Sequence, residues 1–151
     1  MRAFLRGFVY AFRGIIYCIK NERNMRIHTV AALYVLIFAR FFAFTREDYA
    51  ILLLTIGMVM SAEAMNTAVE KLADRVSGEK HPLIKAAKDA AAGAVLILAV
   101  ISVGVALFLF GNYEGFANMY DFYSGHLLNF AALVLLSAVS LVFVVWMPKR
   151  K

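Results

Sequence analysis

An uncharged apolar stretch, residues 90–111, constrains the fold of this chain more than any other feature. It is longer than the roughly 20 residues that an α-helix needs to cross the hydrocarbon core of a bilayer. The whole chain has 151 residues, of which 63% are hydrophobic, and a mean hydropathy of +0.74. A soluble domain of this length has too little interior to bury so many apolar side chains. The sequence therefore predicts an all-α integral membrane protein.

Other apolar segments extend this prediction to four membrane spans. Arg40, near the end of the first span, is expected to reach toward the membrane surface or to pair with another group. Thr45 and Asp48 have the spacing of a capping box that begins the second span. Residues 71–89 form a polar stretch before the third span, and most of its charged side chains, Lys71 among them, are expected to belong to a solvated loop. Residues 112–126 are expected to be an outside loop. The predicted spans are residues 29–44, 49–69, 90–111 and 127–147.

Residues 2–20 have the pattern of an amphipathic helix. Arg2, Arg6, Arg13 and Lys20 fall within a narrow arc at ~100° per residue, and an aromatic-rich apolar face fills a broad arc away from it. Such a helix suits the membrane interface. The alternative is a helix packed on the protein's own bundle. The same basic residues interrupt the apolar ones, so we expect no cleaved signal peptide.

The distribution of charge predicts the topology. The net charge is +6, and six basic residues against one acid precede Thr29, while Lys149, Arg150 and Lys151 end the chain. Basic residues beside apolar spans mark cytoplasmic ends, so this charge indicates no nucleic-acid partner. We expect a multi-pass protein of the bacterial inner membrane with both termini in the cytoplasm.

A row of polar residues on the second span carries the predicted chemistry. A carboxylate such as Glu63 costs ~2.5–3.5 kcal/mol at the centre of a membrane helix, which makes it a functional candidate. Asn66, Glu70 and Asp74 follow at offsets of three, seven and eleven, on the same helix face. Because Glu63 and Glu70 are about 10 Å apart along the axis, they are too far apart to bind one small ion directly. The alternative is that the row only joins helices.

Residues outside this row complete a possible phosphoryl-transfer site. Mg²⁺ typically uses one or two protein carboxylates, with phosphates and water as its other ligands. Glu70 could supply one carboxylate, and Glu22, before the first span, another. Lys88, next to Asp89 at the start of the third span, suits a phosphate. His81 lies in the loop that would face a nucleotide. No Gly-x-x-x-x-Gly-Lys-Ser/Thr loop is present, which excludes a P-loop nucleotide site.

These residues resemble the signature of the prokaryotic diacylglycerol kinase family. The resemblance lies in Glu63-Ala-Met-Asn-Thr-Ala-Val-Glu70, Asp74-Arg75, His81-Pro82-Leu83 and Ala87-Lys88-Asp89 with the Ala-rich stretch after it. Asn21-Glu22-Arg23-Asn24 and Arg26-Ile27-His28 are similar to the Gram-positive branch, whose members phosphorylate undecaprenol. The resemblance covers about residues 2–111 and leaves the fourth span unmatched.

The resemblance implies a homotrimer with active sites shared between subunits, and a role for each matching residue. Glu63 would be the general base, and Asn66 would orient the base or the acceptor. Glu22 and Glu70 would hold the Mg²⁺ that bridges the phosphates of ATP. Lys80 stands where enterobacterial members have a tyrosine. The residues that would bind or support the nucleotide are Asp74, Glu79, Lys80, His81, Lys88 and Asp89.

The leading hypothesis is an ATP- and Mg²⁺-dependent lipid kinase that phosphorylates undecaprenol in the recycling of a lipid carrier. Residues 1–111 would form the kinase core, and residues 112–151 a loop, an extra span and a basic cytoplasmic tail. One alternative changes the acceptor to diacylglycerol. Another class is a small transporter or accessory membrane protein, against which the cytoplasmic clustering of Glu22, Glu70 and Lys88 argues.

Overall fold

The protein is all-α in a computed structural model that describes residues 2–76 and 81–145. Glu79, Lys80 and the basic C-terminal tail lie outside the described residues. The helices of the described ranges are α1 (Arg2–Asn21), α2 (Arg23–Ala39), α3 (Arg46–Val76), α4 (Pro82–Leu109), α5 (Tyr113–Ser124) and α6 (Leu127–Val145). The all-α class and the predicted N-terminal helix over residues 2–20 are thereby confirmed.

Three of these helices, α3, α4 and α6, are long and apolar enough to cross a membrane. Helix α2 is shorter, with 17 residues, and it ends at Ala39. The prediction of a helical span reaching residue 44 is therefore wrong at its end. The chain turns after Ala39 because Phe42 folds inward, where its ring lies 4.8 Å from that of Phe110. The four-span layout stays a prediction.

Helices α3 and α4 form the most extensive helix pair of the fold. The polar stretch predicted between them, residues 71–89, is mostly helical, because α3 continues to Val76 and α4 begins at Pro82. Proline suits this first helical position because its missing N–H would have no partner there. His81 caps the helix, and its Nδ1 accepts a hydrogen bond of 3.3 Å from the Leu83 N–H. Polar residues near this end are thus held on two rigid helices.

Local contacts define the turn between α2 and α3. The predicted capping box is confirmed, since Asp48 Oδ2 accepts from the Thr45 N–H at 2.9 Å and Thr45 Oγ1 accepts from the Asp48 N–H at 3.2 Å. The guanidinium of Arg40 lies 4.7 Å and 4.8 Å from the ring centroids of Phe41 and Phe122. Arg40 therefore pairs with aromatic rings, as cations do at interfaces.

Helix α5 lies where the sequence predicted a loop. Asn112 begins it, and its Oδ1 accepts from the Glu114 N–H at 2.8 Å. An asparagine cap followed by an acid in the first turn favours a helix start. The helix packs through Gly115 against the turn between α2 and α3. A Cβ atom at Gly115 would collide with the ring of Phe42 in that turn. The segment predicted as an outside loop therefore contains a short helix, which these tertiary contacts stabilise.

Helix α6 packs on α2. The hydroxyl of Tyr34 donates to Ser137 Oγ at 2.9 Å, and the Ser137 hydroxyl donates to the Leu133 carbonyl at 2.9 Å. Aromatic rings extend the contact at one end, where Tyr123 lies beside Phe38 and Phe41. The helix that follows the core is therefore attached to α2 and α5.

A buried arginine forms the corner between α1 and α2. Arg26 is only 1% exposed, and its Nη1 donates to the Lys20 carbonyl at 2.9 Å. The last carbonyls of a helix have no partner within the helix, so a cationic donor stabilises them. Glu22 lies at this corner as the N-cap residue of α2. The corner holds Glu22 close to α3.

Candidate active site

One face of α3 is buried although it is polar. Glu63 is 2% exposed, Asn66 7% and Thr67 3%, while Glu70 is half-buried. The spacings of three, four and seven place these side chains on one side of the helix. The row predicted from the sequence is therefore real, and the protein covers its central part.

Glu63 lies deepest in this row. Its Oε2 atom is buried and has no hydrogen-bond partner among the described residues. The adjacent Thr67 hydroxyl donates to the backbone carbonyl of Glu63 at 3.0 Å, so it does not serve the carboxylate. Buried polar groups are normally paired, and an unpaired oxygen commonly marks a place for a ligand or a proton. Glu63 has the environment expected of an acid–base group.

Asn66 lies between Glu63 and Glu70 on α3 and hydrogen-bonds the second of these carboxylates. Its Nδ2 donates to Glu70 Oε1 at 3.3 Å. Its carbonyl oxygen, Oδ1, is buried without a partner in the described part of the chain. Asn66 thus fixes one Glu70 oxygen and keeps a free acceptor for a hydroxyl or water.

Glu22 reaches this face from the corner between α1 and α2. Its Oε1 lies 3.2 Å from Lys71 Nζ, and its side chain is 15% exposed. The atoms are at the distance of an ion pair but lack the alignment of a hydrogen bond. Glu22 and Glu70 both interact electrostatically with Glu63. Glu22 and Glu70, the two carboxylates predicted as metal ligands, therefore both lie within electrostatic range of Glu63.

Helix α4 contributes Lys88. Its Nζ forms a hydrogen-bonded ion pair of 2.9 Å with Asp74 Oδ1 and also interacts electrostatically with Glu70. Lys88, predicted to lie at the same membrane level as Glu70, thus contacts Asp74 of the polar row. Asp89 and His81 are exposed near the same end of α4, where the His81 imidazole caps the helix.

Sequence reasoning missed two side chains of the site and misread a third. Thr67 lies four residues after Glu63, so helical spacing could have placed it beside Glu63. Lys71 was interpreted as part of a solvated loop, but it is half-buried against Glu22. Cys18, on α1, is 7% exposed and its thiol contacts Thr67. No sequence pattern singled out Cys18.

Burial raises the pKa of the Cys18 thiol above its usual range. The hydrogen bond with Thr67 opposes this shift, while the negative charges of Glu22 and Glu63 add to it. A thiol is uncharged when protonated, so both burial and neighbouring carboxylates favour that form. Cys18 is therefore a neutral packing group next to the carboxylates.

A groove of about 340 Å³ runs between α1 and α3. Its walls include Gly14, Tyr17 and Cys18 of α1 and Ala64 and Lys71 of α3. The lining is almost entirely apolar apart from Lys71 and Thr67. Of these two polar lining residues, Thr67 hydrogen-bonds the backbone carbonyl of Glu63 and Lys71 contacts Glu22.

The described residues contain no group of three or more His, Cys, Asp or Glu side chains that could hold a metal ion. A metal at this site would need ligands from a bound phosphate and water. That donor set is typical of Mg²⁺ in phosphoryl-transfer sites, where one or two carboxylates suffice.

Comparisons with known proteins match the part of the chain that contains these residues. The family model for prokaryotic diacylglycerol kinase matches residues 9–110, which end with α4 and leave α5 and α6 unmatched. The undecaprenol kinase of Bacillus subtilis is 43% identical over 110 residues, covering 73% of this chain and 89% of that protein.

Two diacylglycerol kinases are more distant. That of Synechocystis is 41% identical over 100 residues, covering 66% of this chain and 57% of its own length. That of Escherichia coli K12 is 31% identical over 94 residues, covering 62% of this chain and 77% of its own length. No solved structure matches the chain. The chain belongs to the prokaryotic diacylglycerol kinase family and is a lipid kinase.

Proposed function

We propose that this lipid kinase transfers the γ-phosphate of ATP to undecaprenol and forms undecaprenyl phosphate. The observation that supports the kinase chemistry is the buried Glu63 carboxylate, with its unpartnered oxygen, beside Glu22 and Glu70. The acceptor is proposed from the likeness to the Bacillus subtilis undecaprenol kinase, which is 43% identical over nearly its whole length.

In this proposal Glu63 accepts the proton of the lipid hydroxyl. The hydroxyl oxygen attacks the γ-phosphorus, and the bond from that phosphorus to the β–γ bridging oxygen breaks, so that ADP leaves. A buried carboxylate is a stronger base than one in water because its charged form is poorly solvated. Asn66, whose Oδ1 has no partner among the described residues, orients the hydroxyl.

Glu22 and Glu70 fit a divalent cation, because both are partly buried carboxylates near Glu63 and neither is fully hydrogen-bonded. Mg²⁺, when bound, would neutralise the charge that develops on the phosphates. Lys88 supplies a fixed cation on the opposing helix for a phosphate oxygen. Asp74, Asp89 and His81, with Glu79 and Lys80 outside the described residues, are the proposed nucleotide-binding set.

We also propose a homotrimer in the bacterial inner membrane, with shared active sites and both termini in the cytoplasm. In a single chain, α4 has no buried residue over its described length, and large apolar side chains such as Leu96, Ile97 and Val100 are exposed. Lipid and neighbouring subunits together could cover these side chains. Alanines at residues 86, 90 and 94 would allow close approach of helices.

An acceptor assay tests the proposed function. The purified protein receives labelled ATP, Mg²⁺ and equal mole fractions of undecaprenol or diacylglycerol in mixed micelles, and the label in extracted lipid is counted. We expect faster transfer to undecaprenol. Faster transfer to diacylglycerol would support the alternative acceptor instead, and no transfer to either lipid would contradict the whole proposal.

A further inference from the structure

Lys71 occupies an unusual position beside the proposed active site. It follows Glu70 directly in α3, yet its ammonium group reaches Glu22 at the corner of α1 and α2, where Nζ lies 3.2 Å from Oε1. The contact joins α3 to a corner that is otherwise held by the buried Arg26. Lys71 therefore has contacts that a solvated surface lysine would lack.

The two lysine ion pairs of the described chain differ in alignment. Lys88 Nζ and Asp74 Oδ1 are 2.9 Å apart and form a hydrogen bond. Lys71 and Glu22 have the distance of an ion pair without hydrogen-bond alignment, and Glu22 Oε1 remains buried without a hydrogen bond. An ion pair of this kind holds charge but leaves the acceptor poorly satisfied. A divalent cation, which coordinates a carboxylate oxygen directly, can replace the ammonium group.

The charges around Glu22 favour such an exchange. Glu22, Glu63 and Glu70 interact electrostatically at the buried end of the row, and Lys71 is the cation in contact with Glu22. The Lys71 side chain is 39% exposed, whereas that of Glu22 is 15% exposed. The ammonium group can therefore move to water at small cost while the carboxylate stays in place.

We propose that Lys71 is a positioning residue, which holds the Glu22 carboxylate against α3 when no metal is bound and competes with a divalent cation for it. This inference rests on the proposed role of Glu22 as a metal ligand. Cation binding releases Lys71, and loss of the cation restores the ion pair. The corner between α1 and α2 therefore keeps one position in both states.

Binding of Mn²⁺ tests the competition without relying on activity. Mn²⁺ is titrated by electron paramagnetic resonance into wild-type protein with a non-hydrolysable ATP analogue, and into the variants Lys71→Met and Lys85→Met. Lys85 is an exposed lysine at the start of α4, so its variant reports the general effect of one lost positive charge. We expect Lys71→Met to bind Mn²⁺ about threefold to fivefold more tightly than Lys85→Met, in keeping with a partly exposed ion pair. Equal or weaker binding by Lys71→Met overturns the competition.

Alkylation of Cys18 in EDTA tests the holding role separately. Cys18 is the only cysteine of the chain and is buried on α1 against Thr67 of α3. We expect faster alkylation in Lys71→Met and the wild-type rate in Lys71→Arg and Lys85→Met. An unchanged rate in Lys71→Met overturns the holding role. If wild-type protein binds no Mn²⁺, the proposed metal site and the competition both fail, and the Cys18 result alone decides the holding role.

Discussion

Two regions of the molecule pack differently. The first comprises α1, α2 and α3, and the second is the C-terminal pair, α5 and α6. Every buried side-chain oxygen or nitrogen that lacks a partner in the described ranges belongs to the first region, on Glu22, Arg26, Glu63 or Asn66. The second region packs through aromatic rings and a tyrosine–serine hydrogen bond. Unpaired buried polar groups reduce stability, so they persist where a ligand uses them. The first region therefore has the properties of a site, and the second those of a packing element.

The largest contrast between the regions is expected from acidic residues. Glu70→Gln should slow phosphoryl transfer about 100-fold or more, because it removes a charge from the proposed metal site. Glu114→Gln, on the exposed start of α5, should leave the rate within about twofold. Initial rates of lipid phosphorylation at saturating Mg²⁺ measure both. Equal rates in the two variants would remove the distinction between the regions.

Lys88 tests the α4 side of the site. Lys88→Met should raise the KM for ATP about tenfold or more, because the substitution removes a charge-assisted contact with phosphate. The kcat for saturating ATP should fall less. Lys85→Met is the matched control and should keep the wild-type KM. A Lys88→Met enzyme with unchanged KM for ATP would show that the lysine only pairs with Asp74.

Gly115 tests the packing region. Gly115→Ala places a Cβ against the ring of Phe42, and such overpacking typically destabilises by about 1–3 kcal/mol. Gly57→Ala is the control, because the Cβ added there would have no atom within 4 Å apart from the local backbone of its own helix. Thermal unfolding in detergent should show a lower midpoint for Gly115→Ala and an unchanged midpoint for Gly57→Ala. Below its unfolding temperature, Gly115→Ala should still phosphorylate lipid. A loss of transfer without loss of stability would assign the C-terminal pair to the site.

The smallest expected effect concerns Cys18. Because burial raises its pKa, the reactive thiolate is scarcer at a given pH than in an ordinary cysteine. Alkylation of the folded protein should be slow at neutral pH and increase only at a higher pH than for the unfolded chain. Mass spectrometry of the alkylated protein between pH 7 and about 10 measures this profile. Coincident folded and unfolded profiles would contradict the buried environment.

The sequence predicted the polar row of α3 better than the surrounding fold. Glu63, Asn66 and Glu70 lie on one face because helical spacing alone determines their relation. The contact of Lys88 with Asp74 joins two helices, and the sequence indicated only the membrane level of Lys88. The end of α2 and the existence of α5 depend on Phe42 packing against Phe110 and Phe116, which are far apart in the sequence. Lys71 was misread because its partner Glu22 comes from another helix. Contacts between helices, unlike spacing within one, have no local pattern.

The proton acceptor of the reaction is the central claim, and a single-turnover measurement tests it most directly. Wild-type protein and the Glu63→Gln variant are each preloaded with undecaprenol and then mixed with labelled ATP and Mg²⁺. The label that appears in the lipid is followed in time. We predict transfer about 100-fold slower or more in Glu63→Gln, as expected when a general base is lost, with an unfolding midpoint equal to or above that of the wild type. Transfer at the wild-type rate by Glu63→Gln would contradict the account.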